Sequence, residues 1–181
     1  MSKAILISIK PKYVTKILNR KKTIEIRKTF PKCELPIDVY IYCTKGNGVK
    51  DFIIMYKHDL ATDEIGGEYV NTRVIAKFTL NKVEEIKFDD KQVQEQACLT
   101  EEELFDYLFI NKPYHEDMHK GYAWHIDNLE IFDKPKELRE FFKTSCFGCP
   151  FENTQTCHND IDGKLCRITK APQSWCYVGV L

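Results

Sequence analysis

Ser8-Ile9-Lys10-Pro11-Lys12-Tyr13-Val14-Thr15-Lys16-Ile17-Leu18-Asn19-Arg20-Lys21-Lys22-Thr23-Ile24-Glu25-Ile26-Arg27-Lys28 changes its apolar period part-way. Pro11 suits the first position of a helix, where a missing N–H costs nothing. Val14, Ile17 and Leu18 then recur at i, i+3 and i+4, and Tyr13 joins them through Ile17. That spacing predicts a helix of about ten residues. From Thr23 the period is two. Ile24 and Ile26 point one way, and Thr23, Glu25 and Arg27 the other.

The polar face of this expected strand is chemically distinctive. Glu25 and Arg27 share it, with Cα atoms about 7 Å apart at the ordinary strand rise. Lys22 stands just before them, at the turn. A carboxylate flanked by two cations can be held in place while its spare lone pairs meet a ligand. The plainer alternative is a half-exposed strand carrying an ordinary ion pair.

Lys22-Thr23-Ile24-Glu25-Ile26-Arg27 resembles the core of the G-x-K-x-x-E-x-R signature of ASCH domains, a branch of the PUA-like superfamily. The approach Ile7-Ser8-Ile9-Lys10-Pro11-Lys12-Tyr13 and the closing Ala171-Pro172-Gln173-Ser174-Trp175-Cys176-Tyr177-Val178 are similar to ASCH proteins of bacteria and their phages. The signature glycine falls at Arg20, so the turn is either built differently or tolerates a side chain. The resemblance covers about residues 3–142 and the last strand. It implies an α+β fold, a small mixed PUA-like β-barrel with short helices around a cleft that takes exposed bases of single-stranded or modified RNA. Lys10, Tyr13, Lys22, Glu25, Arg27 and Trp175 are the expected ligand-binding residues. Trp124 is a further candidate, although either tryptophan also suits a core.

Some relatives in the superfamily are enzymes. One group resembles an amidohydrolase of 4-acetylcytidine that uses a Lys-x-x-Thr pair and a distant Glu. Here Lys22 and Glu25 occupy those spacings, and the threonine is absent. An RNA-acting hydrolase, either a ribonuclease or such an amidohydrolase, would use Lys22 and Glu25 as catalytic acid and base.

Composition narrows the class. A hydrophobic share of 43% with 30% charged residues is globular and far from disorder. No run of 18 apolar residues and no leader pattern is present, so a cytoplasmic protein without a membrane is expected. The net charge of zero hides an asymmetry. Lys10 to Lys32 holds nine Lys or Arg against Glu25 alone, a net of +8. Glu84 to Asp117 holds eleven acids against Lys87, Lys91 and Lys112, a net of −8. The basic segment suits a phosphate-bearing partner, RNA or a nucleotide. The acidic 84–117 face suits a protein partner, which would make the chain an adaptor.

Along the chain, residues 3–9 read as a strand apolar on both faces, Ile37 to Cys43 as a second and Arg73 to Leu80 as a third. Gly46-Asn47-Gly48 and Gly66-Gly67 read as turns, and Phe52 to Tyr56 as a short strand. Val83 to Ile86 extends the third strand or opens a turn. Thr100 and Glu103 form a capping box, with Leu99 stapled to Leu104 and a stripe of Leu104, Phe105, Leu108 and Phe109. Tyr122 to Phe132 reads as one long strand. Pro135 opens a last short helix that buries Leu138, Phe141 and Phe142. The expected domains are 1–143 for the barrel, 144–170 for a cysteine-rich insert and 171–181 for a returning strand.

Five of the eight cysteines lie in the last 36 residues. Without a secretion signal, a disulfide scaffold is not expected. Cys146-x-x-Cys149 forms half of a tetrahedral thiolate site, and Cys157 and Cys166 would complete it. Structural zinc is the expected cofactor, an iron–sulfur cluster or free thiols the alternatives, and His158 and Cys176 are substitute ligands. His115-Glu116-Asp117-Met118-His119 matches H-E-x-x-H. Pro113 and Gly121 leave it too little helix for a zinc protease, so an ordinary loop or short helix is expected there.

Overall fold

Because residues 4–9 are largely apolar on both faces, β1 (Ser2–Ile9) can be covered on both, and Ala4 through Ile9 are all buried, Ser8 among them. The structure is a computed structural model that describes residues 2–48, 51–59, 64–87, 89–109, 120–143 and 167–180. β1 lies between β11 (Trp175–Val180), which runs antiparallel, and β3 (Ile37–Cys43), which runs parallel. β6 (Val74–Leu80) and β9 (Asp127–Lys136) extend the sheet beyond β3, and β10 (Phe142–Lys143) flanks β11. The order is β10-β11-β1-β3-β6-β9.

A second sheet has the order β2-β8-β7, from β2 (Ile24–Arg27), β7 (Val83–Ile86) and β8 (Gly121–His125). β4 (Ile54–Asp59) and β5 (Glu64–Tyr69) form a separate hairpin. Three helices accompany the strands among the described residues: α1 (Pro11–Leu18), α2 (Lys91–Ala97) and α3 (Glu101–Phe109). The fold is α+β. The expected barrel does not close among the described residues. The large sheet ends at β9 and β10, and β2, β7 and β8 pair with each other instead of completing a cylinder. No described helix is long and apolar enough to cross a membrane.

The chain forms two compact units. Unit 1 comprises residues 1–14, 38–77 and 130–181, and unit 2 comprises 15–37 and 78–129. The core of unit 1 gathers Leu6, Tyr40, Val74, Phe132, Phe141 and Val178. The core of unit 2 gathers Ile24, Ile26, Ala97, Leu104, Leu108 and Ala123. Ile24 and Ile26 come from alternate positions of β2, and burying each is worth about 1.5–3 kcal/mol. Gly121 opens β8 where a Cβ would approach Leu108 Cδ2 to 2.8 Å, so a larger residue there would make the Leu108 side chain of α3 shift.

Several local expectations hold. The capping box is reciprocal: Thr100 N donates to Glu103 Oε2 at 3.1 Å, and Glu103 N donates to Thr100 Oγ at 3.1 Å. Val14 and Ile17 of α1 are fully buried. Arg20 resolves the question of the signature glycine. Its φ is 57°, the left-handed conformation glycine favours, and Arg20 N and Lys21 N close the helix on Ile17 O and Lys16 O. The turn is left-handed at Arg20 and leaves its side chain exposed.

Other expectations are corrected. Gly66 and Gly67 lie inside β5, where Gly67 leaves room for the Tyr56 ring across the hairpin. The run from Tyr122 to Phe132 is two strands in two sheets, parted at Ile126, and Asn128 just inside β9 has a φ of 48°. Pro135 lies in β9, and only a 3-10 turn at Leu138–Glu140 follows it. Phe105 is exposed, and of the stripe expected on α3 Leu104 and Leu108 are buried, while the Phe109 side chain lies outside the described residues.

Candidate nucleic-acid interface

The unit-2 core takes Ile24 and Ile26, so the period of two turns Glu25 and Arg27 to the opposite face of the β2 sheet. All four β2 residues are buried, and Lys22 with them. Glu25 Oε2 lies 3.2 Å from Lys22 Nζ, and Glu25 Oε1 lies 3.0 Å from Arg27 Nη2. The three side chains are only 2%, 9% and 8% exposed in the order Lys22, Glu25, Arg27. The plain alternative of a half-exposed strand is therefore overturned. Two cations grip one carboxylate, away from water.

Lys22 has a second role that its own neighbourhood in sequence does not signal. Its Nζ donates to Ala97 O at 2.8 Å, in the last turn of α2. Lys16 Nζ donates to Cys98 O at 2.9 Å, and Thr23 N donates to Gln96 O at 2.9 Å. Three carbonyls at the C-terminal end of α2 are thus met by residues 16–23. A helix C-terminus carries partial negative charge and unpaired carbonyls, so it suits lysine donors. Cys98 ends α2 in the left-handed conformation, and its thiol lies 3.3 Å from Lys21 O. The α2 end therefore fixes where Lys22 meets Glu25.

The register defines the rest of this face. Glu25 is paired with Trp124 of β8, and Arg27 with Tyr122. Trp124 is fully buried, and its Nε1 donates to Thr29 O at 3.3 Å, so its ring is core. Tyr122 meets Phe30, with ring centroids 4.7 Å apart. The two ion pairs occupy two of the roughly four lone-pair positions of the Glu25 carboxylate.

The other expected residues lie in unit 1. Lys10 is exposed, and its carbonyl accepts from Tyr13 N at 2.9 Å and Val14 N at 3.0 Å as α1 begins. The Tyr13 ring lies under Lys12 Nζ at 4.5 Å. Trp175 pairs with Ile7 and sets its ring edge-on to Tyr177. Ser8 joins the 172–174 turn, donating from its hydroxyl to Pro172 O at 2.7 Å and from its amide to Ser174 O at 2.9 Å. The start of α1 and the Pro172-Gln173-Ser174 turn thus meet at the end of β1.

Cys146, Cys149, Cys157, Cys166 and His158 lie outside the described residues, as do His115 and His119. Among the described residues no group of three or more His, Cys, Asp or Glu is placed to hold a metal ion. Cys176 is half-buried in β11, and burial pushes its thiol up.

No protein-family model matches the sequence, and no curated protein matches it. Solved structures do match. The crystal structure of ASCH from Zymomonas mobilis aligns with a TM-score of 0.54 at 17% identity, over 96% of this chain and 86% of that one. Two mutant forms of the same protein align with TM-scores of 0.55 at 17% identity, over 96% of this chain and 88% and 87% of theirs. The chain has the ASCH fold. In it the signature-like Lys22, Glu25 and Arg27 form one buried cluster, although the fold alone assigns them no ligand.

Proposed function

We propose that this ASCH-fold chain binds RNA or a modified nucleotide, with Lys22, Glu25 and Arg27 as the recognition residues. The observation that carries the reading is the buried cation–carboxylate–cation cluster on β2. Arg27 and Lys22 would meet phosphate or base acceptors, and Glu25 would accept from a base amino group. Burying three charges costs several kcal/mol per ion before any is regained, so a merely structural cluster would be a poor use of the strand. The basic stretch from Lys10 to Lys32 would draw in the polyanion.

One incubation of the pure protein with end-labelled single-stranded RNA, split between a native and a denaturing gel, tests this. Shifted and intact RNA is the expected result, with the shift weakened in Glu25→Gln and in Arg27→Lys. Shortened RNA that disappears with Glu25→Gln would replace the binder with a hydrolase acting through Lys22 and Glu25, which stand within proton-transfer distance. Neither shift nor cleavage would overturn the reading and direct attention to a protein partner on the acidic 84–117 face.

We also propose, on cysteine spacing alone, that Cys146, Cys149, Cys157 and Cys166 hold a structural zinc. Elemental analysis checks it. The expected content is about one zinc per chain, lost in Cys149→Ser, and iron in its place would favour the cluster alternative.

A further inference from the structure

Lys28-Thr29-Phe30-Pro31-Lys32 follows directly on Arg27. Phe30 is 42% exposed, which is unusual for a ring whose backbone is so firmly held. On one side Thr29 O accepts from the buried Trp124 indole, and on the other Pro31 is itself buried. One flank of the ring rests against Tyr122, the strand partner of Arg27. Phe30 is therefore an anchored platform and not the tip of a loose loop. Lys28 and Lys32 are exposed on either side of it. Lys28 Nζ lies 5.4 Å from the ring of Tyr107, itself 37% exposed.

An exposed, pre-positioned aromatic ring bracketed by two cations is what a single-stranded nucleic acid engages. A base stacks on the ring, and the phosphates on its two sides meet the lysines. A free nucleoside would use only the ring. A protein partner would gain from the aromatics and lose by burying two lysines.

We infer that residues 28–32 are a strand-binding platform: Phe30 stacks one base of a single-stranded RNA, and Lys28 and Lys32 contact its flanking phosphates. This rests on the RNA-binding reading and extends it, since it makes the ligand a polymer that runs past the buried cluster and adds a residue absent from the signature.

The test is fluorescence anisotropy with labelled oligocytidine, whose bases carry an amino group, on the order of ten nucleotides long, comparable to the site sizes of single-strand binders. The proteins compared are the parent, Phe30→Ala, Phe30→Trp, Lys28→Gln with Lys32→Gln, and Glu25→Gln. Phe30→Ala is expected to bind roughly tenfold more weakly, and Phe30→Trp about as well as the parent with its added indole fluorescence quenched. The double lysine variant should lower the slope of log affinity against log salt by roughly 1 to 1.5. Phe30 is exposed, so an unchanged urea midpoint in Phe30→Ala is expected alongside. If the parent binds and Glu25→Gln weakens it while Phe30→Ala does not, the platform is wrong and the cluster reading stands. If the parent does not bind, the platform is wrong, and so is the reading of the chain as a binder of unmodified single-stranded RNA.

Discussion

Each unit carries a cluster of three charges, and the two clusters are mirror images. In unit 2, Lys22 and Arg27 flank Glu25 at 3.2 and 3.0 Å. In unit 1, Asp38 and Glu130 flank Lys77 at 3.5 and 3.3 Å. The distances are similar, but the surroundings differ. The Lys77 cluster is 29%, 43% and 59% exposed at Lys77, Asp38 and Glu130, whereas no member of the Glu25 cluster exceeds 9%. Exposed pairs trade water for each other almost evenly and contribute about 0–1 kcal/mol. Buried charges lose their hydration outright and depend on one another to recover it. Distance alone therefore says little about what an ion pair contributes, and burial says most of it.

The largest expected effect follows from removing the shared carboxylate. Glu25→Ala leaves Lys22 and Arg27 buried without their common anion, and a loss of about 3–5 kcal/mol in urea unfolding is expected. A loss below about 1 kcal/mol would mean that the cluster is hydrated in solution, and the contrast between the units would collapse. A companion variant separates stability from function. Replacing all three, Lys22→Met, Glu25→Leu and Arg27→Met, removes the charge and keeps the volume. The lost ion pairs should cost little, as for other buried pairs, so the expected loss is the roughly 1–3 kcal/mol of the Ala97 carbonyl that Lys22 no longer meets. RNA binding should be lost. Retained binding in this well-folded triple variant would sink the recognition role of β2.

Raising the pH acts on unit 1. Burial pushes the Cys43 thiol from its ordinary 9.0 to about 12. Burial likewise raises Tyr40, to which Asp38 and Glu130 add, and raises Tyr42 on the same strand. For these groups the folded chain holds its protons longer than the unfolded chain does. The stability they contribute is complete below the unfolded values and is lost as pH rises through the folded ones. Lys77 acts in the same direction: burial works against its charge, but Asp38 and Glu130 outweigh that and raise it. Urea midpoints should therefore begin to fall above about pH 9, and Cys43→Ala should delay the onset. A midpoint that rises over this range would contradict the burial of β3.

The Glu25 cluster was legible in sequence because its cause is local. A period of two, with Ile24 and Ile26 on one side, puts Glu25 and Arg27 together whatever the rest of the chain does. The capping box at Thr100 is local in the same way. Lys22 is the counter-example, because its second partner, Ala97, is 75 residues away. The helix that supplies it, Lys91-Gln92-Val93-Gln94-Glu95-Gln96-Ala97, has too few apolar residues for a periodic signal. Gly66 and Gly67 suggest a turn because glycine is a turn former by propensity, and the pairing of β5 with β4, with Ile54 and Tyr56 close against Gly67, overrides that. The strand break at Ile126 carries no glycine or proline to announce it. The role of Phe30 depends on how Trp124 and Pro31 pin its backbone, and composition cannot show that.

The smallest expected effect is the one that most sharpens the contrast. Lys77→Met keeps the aliphatic stem and removes only the ammonium, so packing loss does not confuse the result. Because the site is solvated, the change should cost less than about 1 kcal/mol at low salt. It should also shrink towards zero near 1 M salt, where the screening length falls to about 3 Å, comparable to the pair distances. The cost of Glu25→Ala should hardly move over the same salt range, because mobile ions do not enter a buried cluster. Measuring both variants in low and high salt therefore gives a pattern that burial alone dictates: one small, salt-sensitive cost and one large, salt-insensitive cost. If Lys77→Met were also insensitive to salt, the unit-1 cluster would be desolvated in solution, and the two units would have to be treated alike.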